Sequence, residues 1–319
     1  MTFLRHMPTS YFRKQTIIRK QIIYKHMRKF FINLTFLAIA MFSANAEEKT
    51  KTYDFGDITG INAGYNYQIH ITEGRSGNVK VVYDENMEKY LDVEYSVASK
   101  RLNLFMNDDI QRLFRNRSYD PIHVYVEMDD ISTINLSGAV KADFKGTFKT
   151  ESLDMELSGA SSAAGLQISG HTLEIECSGA SNLDMTGKFS NEIAIDLSGA
   201  SNIDYNGGAE KLNADISGAS NLNCNGDFRT LKISCSGASN AEIEGKGLKA
   251  DYDCSGASNI DAKNFIVRTA EVELTGASKA KVNASEDIYH DVSRGSKMTY
   301  YGDAELHNMN SDTNVVKGR

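Results

Sequence analysis

The sequence predicts an all-β fold, a right-handed parallel β-helix (solenoid) of about nine coils of roughly 20 residues, preceded by irregular β-coils or a small capping β-sheet. Three observations carry this. The frame SGASN recurs at 178–182, 198–202, 217–221, 236–240 and 255–259. Its glycine extends to Gly138, Gly159, Gly179, Gly199, Gly218, Gly237, Gly256 and Gly276, spaced by 21, 20, 20, 19, 19, 19 and 20 residues, and one residue class held per position at such a period marks a stacked solenoid. Apolar and polar residues alternate on both sides of each glycine, the period of a strand with one face inward.

The chain opens with a leader. Residues 1–26 carry six Lys/Arg and no acid, and a complete export signal with its own methionine follows, so Met27 is read as the true start. From Met27 the text MRKFFINLTFLAIAMFSANA has a basic start at Arg28 and Lys29, an apolar run from Phe30 to Phe42, and Ala44-Asn45-Ala46 in the small-x-small pattern of a signal-peptidase site. That run is short for a membrane span. Residues 27–46 are therefore expected to be removed, leaving an exported chain in the periplasm, on the outer surface or secreted, and not membrane-spanning. Without residues 1–46 the Lys/Arg count falls from 35 by eight to 27 against 42 Asp/Glu, a net charge of −15 rather than −7. Such a surface repels nucleic acid and anionic lipid, so no nucleic-acid partner is expected.

Residues 47–135 alternate as strands over 65–72, 78–83, 91–97, 101–106 and 122–128, with turns at EGRSGN (73–78) and ASKR (98–101). Between the last two strands lies NDDIQRLFRNRSYDP (107–121), where Arg112, Arg115 and Arg117 surround Phe114 and Tyr119. Basic residues interleaved with aromatics can hold an anionic sugar or stack on a base; the net negative charge disfavours nucleic acid, which leaves glycan or protein contact and makes this the candidate ligand-contact loop. The plainer reading is a surface loop salt-bridged to nearby acids.

The repeat occupies 136–302, with a cap or tail over 303–319. Two residues before the glycine stand Leu136, Leu157, Cys177, Leu197, Ile216, Cys235, Cys254, Leu274 and Val292, all apolar. Four after it stand Ala142, Ala163, Leu183, Ile203, Leu222, Ala241, Ile260, Ala280 and Met298. Counting six after it places Phe144, Gly165, Met185, Tyr205, Cys224 and Ile243 inward as well. A ninth copy, VSRGSK (292–297), fits with Arg294 in the glycine slot, and Gly146, Gly187, Gly207, Gly226 and Gly245 close many coils. Each coil thus reads as strand, SGAS corner, strand, turn and return strand. Asn182, Asn202, Asn221, Asn240 and Asn259 fall in one column, where stacked amides form a ladder.

The opening YDFGDITGINAGYNYQIHITEG (53–74) and the run VYVEMDDISTINLSGA (124–139) into the SGAS frames resemble the head GIN domain of autotransporter adhesins, exported proteins of Bacteroidetes-like bacteria. The resemblance covers nearly the whole chain after residue 46. It implies an all-β solenoid-like head and adhesion, and brings no catalytic residues.

Cys177, Cys224, Cys235 and Cys254 all occupy inward apolar slots, so buried free thiols are expected rather than disulfides. Acids form outward rows: Glu156, Glu176, Asp196, Asp215, Asp253, Glu273 and Asp291 three before the glycine, and Asp143, Asp184, Asp204, Glu242 and Asp261 five after it. Solvated acidic faces are the default, calcium on these rows is the alternative, and no other cofactor or metal is expected. Nothing singles out one carboxylate pair for glycoside hydrolysis; His171 and His307 read as isolated, and His290 as a core residue. The function expected is a non-catalytic cell-envelope adhesin head that presents its β-helix surface to a glycan or protein at the cell surface. A structural envelope spacer is the first alternative and a polysaccharide-degrading β-helix enzyme the second.

Overall fold

Apolar side chains alternate along most strands and turn to the inside of the coils, while neighbouring strands hydrogen-bond edge to edge into one continuous 22-stranded sheet. The structure is a computed structural model and describes residues 48–107, 120–309 and 314–319. β1 (Glu48–Asp54), β2 (Gly60–Ala63), β3 (Tyr67–Glu73) and β4 (Asn78–Asp84) lead through a short 3-10 helix, Glu85–Tyr90, into β5 (Leu91–Ser96), β6 (Arg101–Met106) and β7 (Ile122–Met128). β8 (Thr133–Leu136), β9 (Lys141–Lys145), β10 (Phe148–Lys149) and β11 (Ser152–Leu157) open the repeat. β12 (Ser162–Cys177), β13 (Asn182–Leu197), β14 (Asn202–Ile216) and β15 (Asn221–Cys235) continue it, followed by β16 (Asn240–Lys246), β17 (Lys249–Cys254), β18 (Asn259–Leu274) and β19 (Lys279–Val292). β20 (Lys297–Tyr301), β21 (Glu305–Asn308) and β22 (Val315–Lys317) close the chain.

The fold is therefore all-β, a solenoid of about nine turns with parallel stacked coils. Leu157 faces Cys177, Cys177 faces Leu197, Leu197 faces Ile216 and Ile216 faces Cys235, all parallel. Phe148, Phe189, Phe228 and Phe265 fill the interior beside the aliphatic columns. The second strand, the turn and the return strand are not separate in most coils. They run on as one bent strand, 16 residues long in β12 and β13. The stacked glycines Gly187, Gly207, Gly226 and Gly245 let the chain bend there without breaking the ladder.

At the corners, Gly179, Gly199 and Gly218 hold φ of 72°, 73° and 73°, the left-handed region that a Cβ resists. Each corner hangs on the one before it: Ala180 N donates to the Gly159 carbonyl at 2.7 Å and Ala200 N to that of Gly179 at 2.7 Å. Two corners depart from the frame. Arg294 lies in register with Gly276, but it does not adopt a left-handed φ, and Ser296 N closes a tighter turn onto Ser293 O instead. Upstream, Tyr65 takes the glycine slot with φ 71°, and Ala139 N bonds to its carbonyl, so the stack begins one corner before Gly138. Gly165 also differs from the count along the strand. A bulge between Ala164 and Leu166 turns Gly165 outward and sets Leu166 against Met185.

The N-terminal end combines both expected forms. β6 and β7 stack parallel beneath β2 and β3 as another coil layer. β4 then pairs antiparallel with β7, β1 with β4, and β5 with β6, which covers edges that a bare coil would expose.

The buried polar column was not anticipated. Ser161, Ser181, Ser201, Ser220, Ser239, Ser258 and Ser278, the second serine of each frame, are all 0–1% exposed. Their hydroxyls are satisfied by backbone: Ser239 Oγ donates to Ser236 O at 2.9 Å, and Ser258 Oγ to Ser255 O at 2.8 Å and Cys235 O at 3.2 Å.

Candidate binding face

The outer face of the N-terminal end is set by what faces inward. Ile69, Ile71, Val79, Val81, Val124 and Val126 are buried, so their neighbours along β3, β4 and β7 point to solvent. One cross-strand row results, Thr52–Lys80–Tyr125–His70–Asp143, through β1, β4, β7, β3 and β9. It continues through Ala164 into Asp184 and Asp204 of the coils.

The row is held together electrostatically. Lys80 Nζ lies 5.5 Å from the centre of the Tyr125 ring, a cation–π distance. Tyr125 stacks on His70 with centroids 4.7 Å apart, and His70 on His123 at 5.4 Å. His70 Nδ1 donates to Asp143 Oδ1 at 2.6 Å, while its Nε2 stands 3.1 Å from His123 Nδ1. Burial and the neighbouring His70 lower the pKa of His123. Beside the row, Asn78 Nδ2 donates to Glu127 Oε2 at 3.0 Å. Thr52, His70, Thr72, Lys80, Tyr125 and Glu127 line an open groove of about 430 Å³. With Tyr53, Val79 and Val126 also in the lining, it offers hydroxyl, ammonium and carboxylate groups beside apolar and aromatic surface within reach of a single small ligand. Neither His70 nor His123 bonds to a serine or cysteine among the described residues. Sequence reasoning missed this row because His70 and Tyr125 become neighbours only through the β3–β7 register.

Arg112, Phe114, Arg115, Arg117 and Tyr119, the candidate contact loop, lie outside the described residues. The asparagine column is an exposed ladder from Asn182 to Asn240: Asn202 Nδ2 donates to Asn182 Oδ1 at 2.9 Å, Asn221 to Asn202 at 2.8 Å and Asn240 to Asn221 at 3.0 Å. Asn259 keeps its register with Asn240, but no side-chain bond joins them, so the ladder is one rung shorter than its column. The first acid row is continuous from Glu156 through Glu176, Asp196 and Asp215, and resumes after Ser234 with Asp253, Glu273 and Asp291. Among the described residues no side-chain hydrogen bond or ion pair neutralises Glu156, Glu176, Asp196, Asp215, Asp253 or Glu273. In the column two residues upstream, burial and the adjacent Glu271 raise the Asp251 carboxyl. The second row is compensated in part. Asp204 accepts from Asn223 at 2.7 Å, and Lys281 bonds Asp261 at 2.7 Å. Burial works against the Asp261 charge, yet Lys281 and Lys263 hold its carboxyl below the ordinary value.

All four cysteines are free and buried. Burial pushes the Cys177 and Cys224 thiols up to about 12, which leaves them inert as nucleophiles. Cys235 and Cys254 lie in register, and the contact between them, with burial, raises the Cys254 thiol. His290 is buried at 3%, as its column implies. His171 Nδ1 meets Ser190 Oγ at 2.8 Å on the exposed surface, and among the described residues no carboxylate bonds to His171 to complete a triad. His307 is not isolated: its Nε2 lies 2.7 Å from Asp287 Oδ1. No helix among the described residues is long and apolar enough to cross a membrane.

The family model described as "Putative auto-transporter adhesin, head GIN domain" matches residues 57–205 and 190–304. No curated protein matches the chain. A crystal structure of a "putative lipid binding protein" from Parabacteroides distasonis is 18% identical with a TM-score of 0.48, over 86% of this chain and 98% of that one. A "putative adhesin" from the same species is 16% identical with a TM-score of 0.48, over 86% and 97%. A "putative adhesin" from Parabacteroides merdae is 15% identical with a TM-score of 0.46, over 86% and 94%.

Proposed function

This chain belongs to the auto-transporter adhesin head GIN domain family, and from that premise we propose that it is an exported, non-catalytic binding protein of the cell envelope whose N-terminal groove holds a glycan. The observation that carries the reading is the row Lys80–Tyr125–His70–Asp143 beside an open groove of about 430 Å³. Sugars present vicinal hydroxyls and small apolar C–H faces. Thr52, Thr72, Asn78 and Glu127 supply donors and acceptors for the first, and the Tyr125 edge supplies contact for the second. Export rests on the Met27–Ala46 segment, with its basic start, apolar run and Ala44-Asn45-Ala46 end.

The test is a glycan array probed with the chain from Glu47 to Arg319, its Tyr125→Ala and Lys80→Ala variants, and a form lacking 107–121. The reading expects a sugar that the intact chain binds and Tyr125→Ala loses. Binding kept by Tyr125→Ala but lost with 107–121 moves the site to that loop, and an intact chain that binds nothing removes the adhesive reading in favour of a structural spacer. Labelling of intact cells with a membrane-impermeant reagent tests surface exposure.

A further inference from the structure

We propose that Asp287, Glu305 and His307 form a binding site for a divalent transition-metal ion, zinc in the first instance, across β19 and β21. The site is distinct from the groove at the other end of the strand order. One imidazole nitrogen and two carboxylate oxygens there lie within 4.8 Å of one another. Register puts them together: Asp287 stands opposite Glu305 and Tyr289 opposite His307 on parallel neighbouring strands, so all four side chains share one face. The imidazole is already oriented, because the Tyr289 ring stacks on it at 4.7 Å and 19°. Its Nε2 points at the Asp287 carboxylate, 2.7 Å from Oδ1. A metal ion takes the place of the proton shared in that contact, and the proton leaves to solvent.

The donor set selects the ion. Zinc–nitrogen and zinc–oxygen bonds of about 2.0–2.2 Å set tetrahedral ligands roughly 3.4 Å apart. Opening the His307–Asp287 contact by less than 1 Å and swinging in Glu305, exposed at the start of β21, reaches that spacing. An imidazole ligand disfavours calcium and magnesium, which take oxygen alone, and the lack of a thiolate disfavours copper(I). Three protein ligands leave a fourth position for water or a donor from a partner. The ion would clamp β21 to β19.

The experiment titrates zinc into the full chain after signal removal by calorimetry, with cobalt(II) absorption as a second readout of coordination. The expected result is one saturable equivalent, a raised thermal midpoint, and cobalt bands of four- or five-coordinate geometry. His307→Ala should weaken binding by more than the roughly ten- to hundredfold typical of residues that only support a ligand. Glu305→Gln makes the same test should His307→Ala fail to fold. His123→Ala serves as the control, since His70 and His123 are the competing imidazole pair. No saturable binding to the intact chain at millimolar zinc overturns the proposal. So does binding that survives His307→Ala and Glu305→Gln, or binding that His123→Ala abolishes.

Discussion

Tyr205 and Gly187 are joined across one coil step: the Tyr205 hydroxyl, buried in the interior, donates to the Gly187 carbonyl at 2.7 Å. That carbonyl also lies where a side chain on Gly207 would go, since a Cβ there would overlap its oxygen and crowd the Tyr205 hydroxyl. A methyl group in this column must push the coils apart or break the bond. Gly207→Ala is expected to cost about 3 kcal/mol or more, as overpacking of backbone against backbone does. Gly60 is the contrast, with ordinary φ and its nearest neighbours at 3.4–3.5 Å. Gly60→Ala should stay within about 1 kcal/mol of the parent, helped by a less flexible unfolded chain. Urea unfolding of both variants decides, and equal losses would refute the stacking argument.

The serine column makes a second prediction. Ser239 is fully buried and donates to Ser236 O at 2.9 Å, whereas Asn221 sits in a ladder that faces water. Removing a buried hydroxyl leaves backbone carbonyls short of a donor, so Ser239→Ala should cost about 1 kcal/mol. Asn221→Ala loses two amide bonds but exchanges them for water, and about 0.5 kcal/mol or less is expected. A larger loss at Asn221 would place the stabilising ladder outside the core rather than within it.

These two columns show what sequence reading reaches. Glycine spacing and alternation gave the coil period, the inward columns and the strands at 78–83, 101–106 and 122–128 to within a residue, because a period-two strand with one buried face leaves little choice of register. The inward serines were not legible, since Ser is ordinarily a surface residue and its backbone partners lie in the preceding coil. Tyr65 in a glycine slot and the bulge at Gly165 were invisible for a related reason: both are local exceptions that the neighbouring coil enforces. The groove was hidden more deeply. Tyr125, His70 and Asp143 are set side by side by the parallel β7–β3–β9 register, and Lys80 joins them only through the antiparallel β4–β7 pair of the cap.

The first acid row predicts a salt effect. Asp196 and Asp215 are register neighbours, so their carboxylates stand about one strand spacing, roughly 4.8 Å, apart. Like charges at that distance repel by about 1 kcal/mol in water. Asp215→Asn removes the repulsion and should stabilise the chain by a fraction of that amount at low ionic strength. At 1 M salt the Debye length is about 3 Å and the gain should vanish. Thermal unfolding of parent and variant across a salt series measures it, and an Asp215→Asn chain that is weaker at low salt defeats the idea.

The paired histidines predict an acid limb to stability. His123 Nδ1 stands 3.1 Å from His70 Nε2, and His70 Nδ1 is committed to Asp143, so protonating both rings would set two N–H groups against each other. Burial first, and His70 second, lower the folded pKa of His123, with Glu48, Asp120 and Asp143 acting in the opposite sense. The sign follows from linkage. The unfolded chain binds the His123 proton at about pH 6.5 and the folded chain only at lower pH, so stability is fully present above about 6.5 and declines as pH falls below it. The thermal midpoint should therefore drop between neutral and mildly acid pH, and His123→Gln, which keeps a hydrogen-bonding side chain without a titrating one, should flatten that limb. Loss of the glycan ligand over the same interval would tie the groove to the same proton, because Tyr125 stacks on the His70 ring that His123 holds in place. A His123→Gln chain whose midpoint falls as steeply as the parent's would place the acid sensitivity elsewhere.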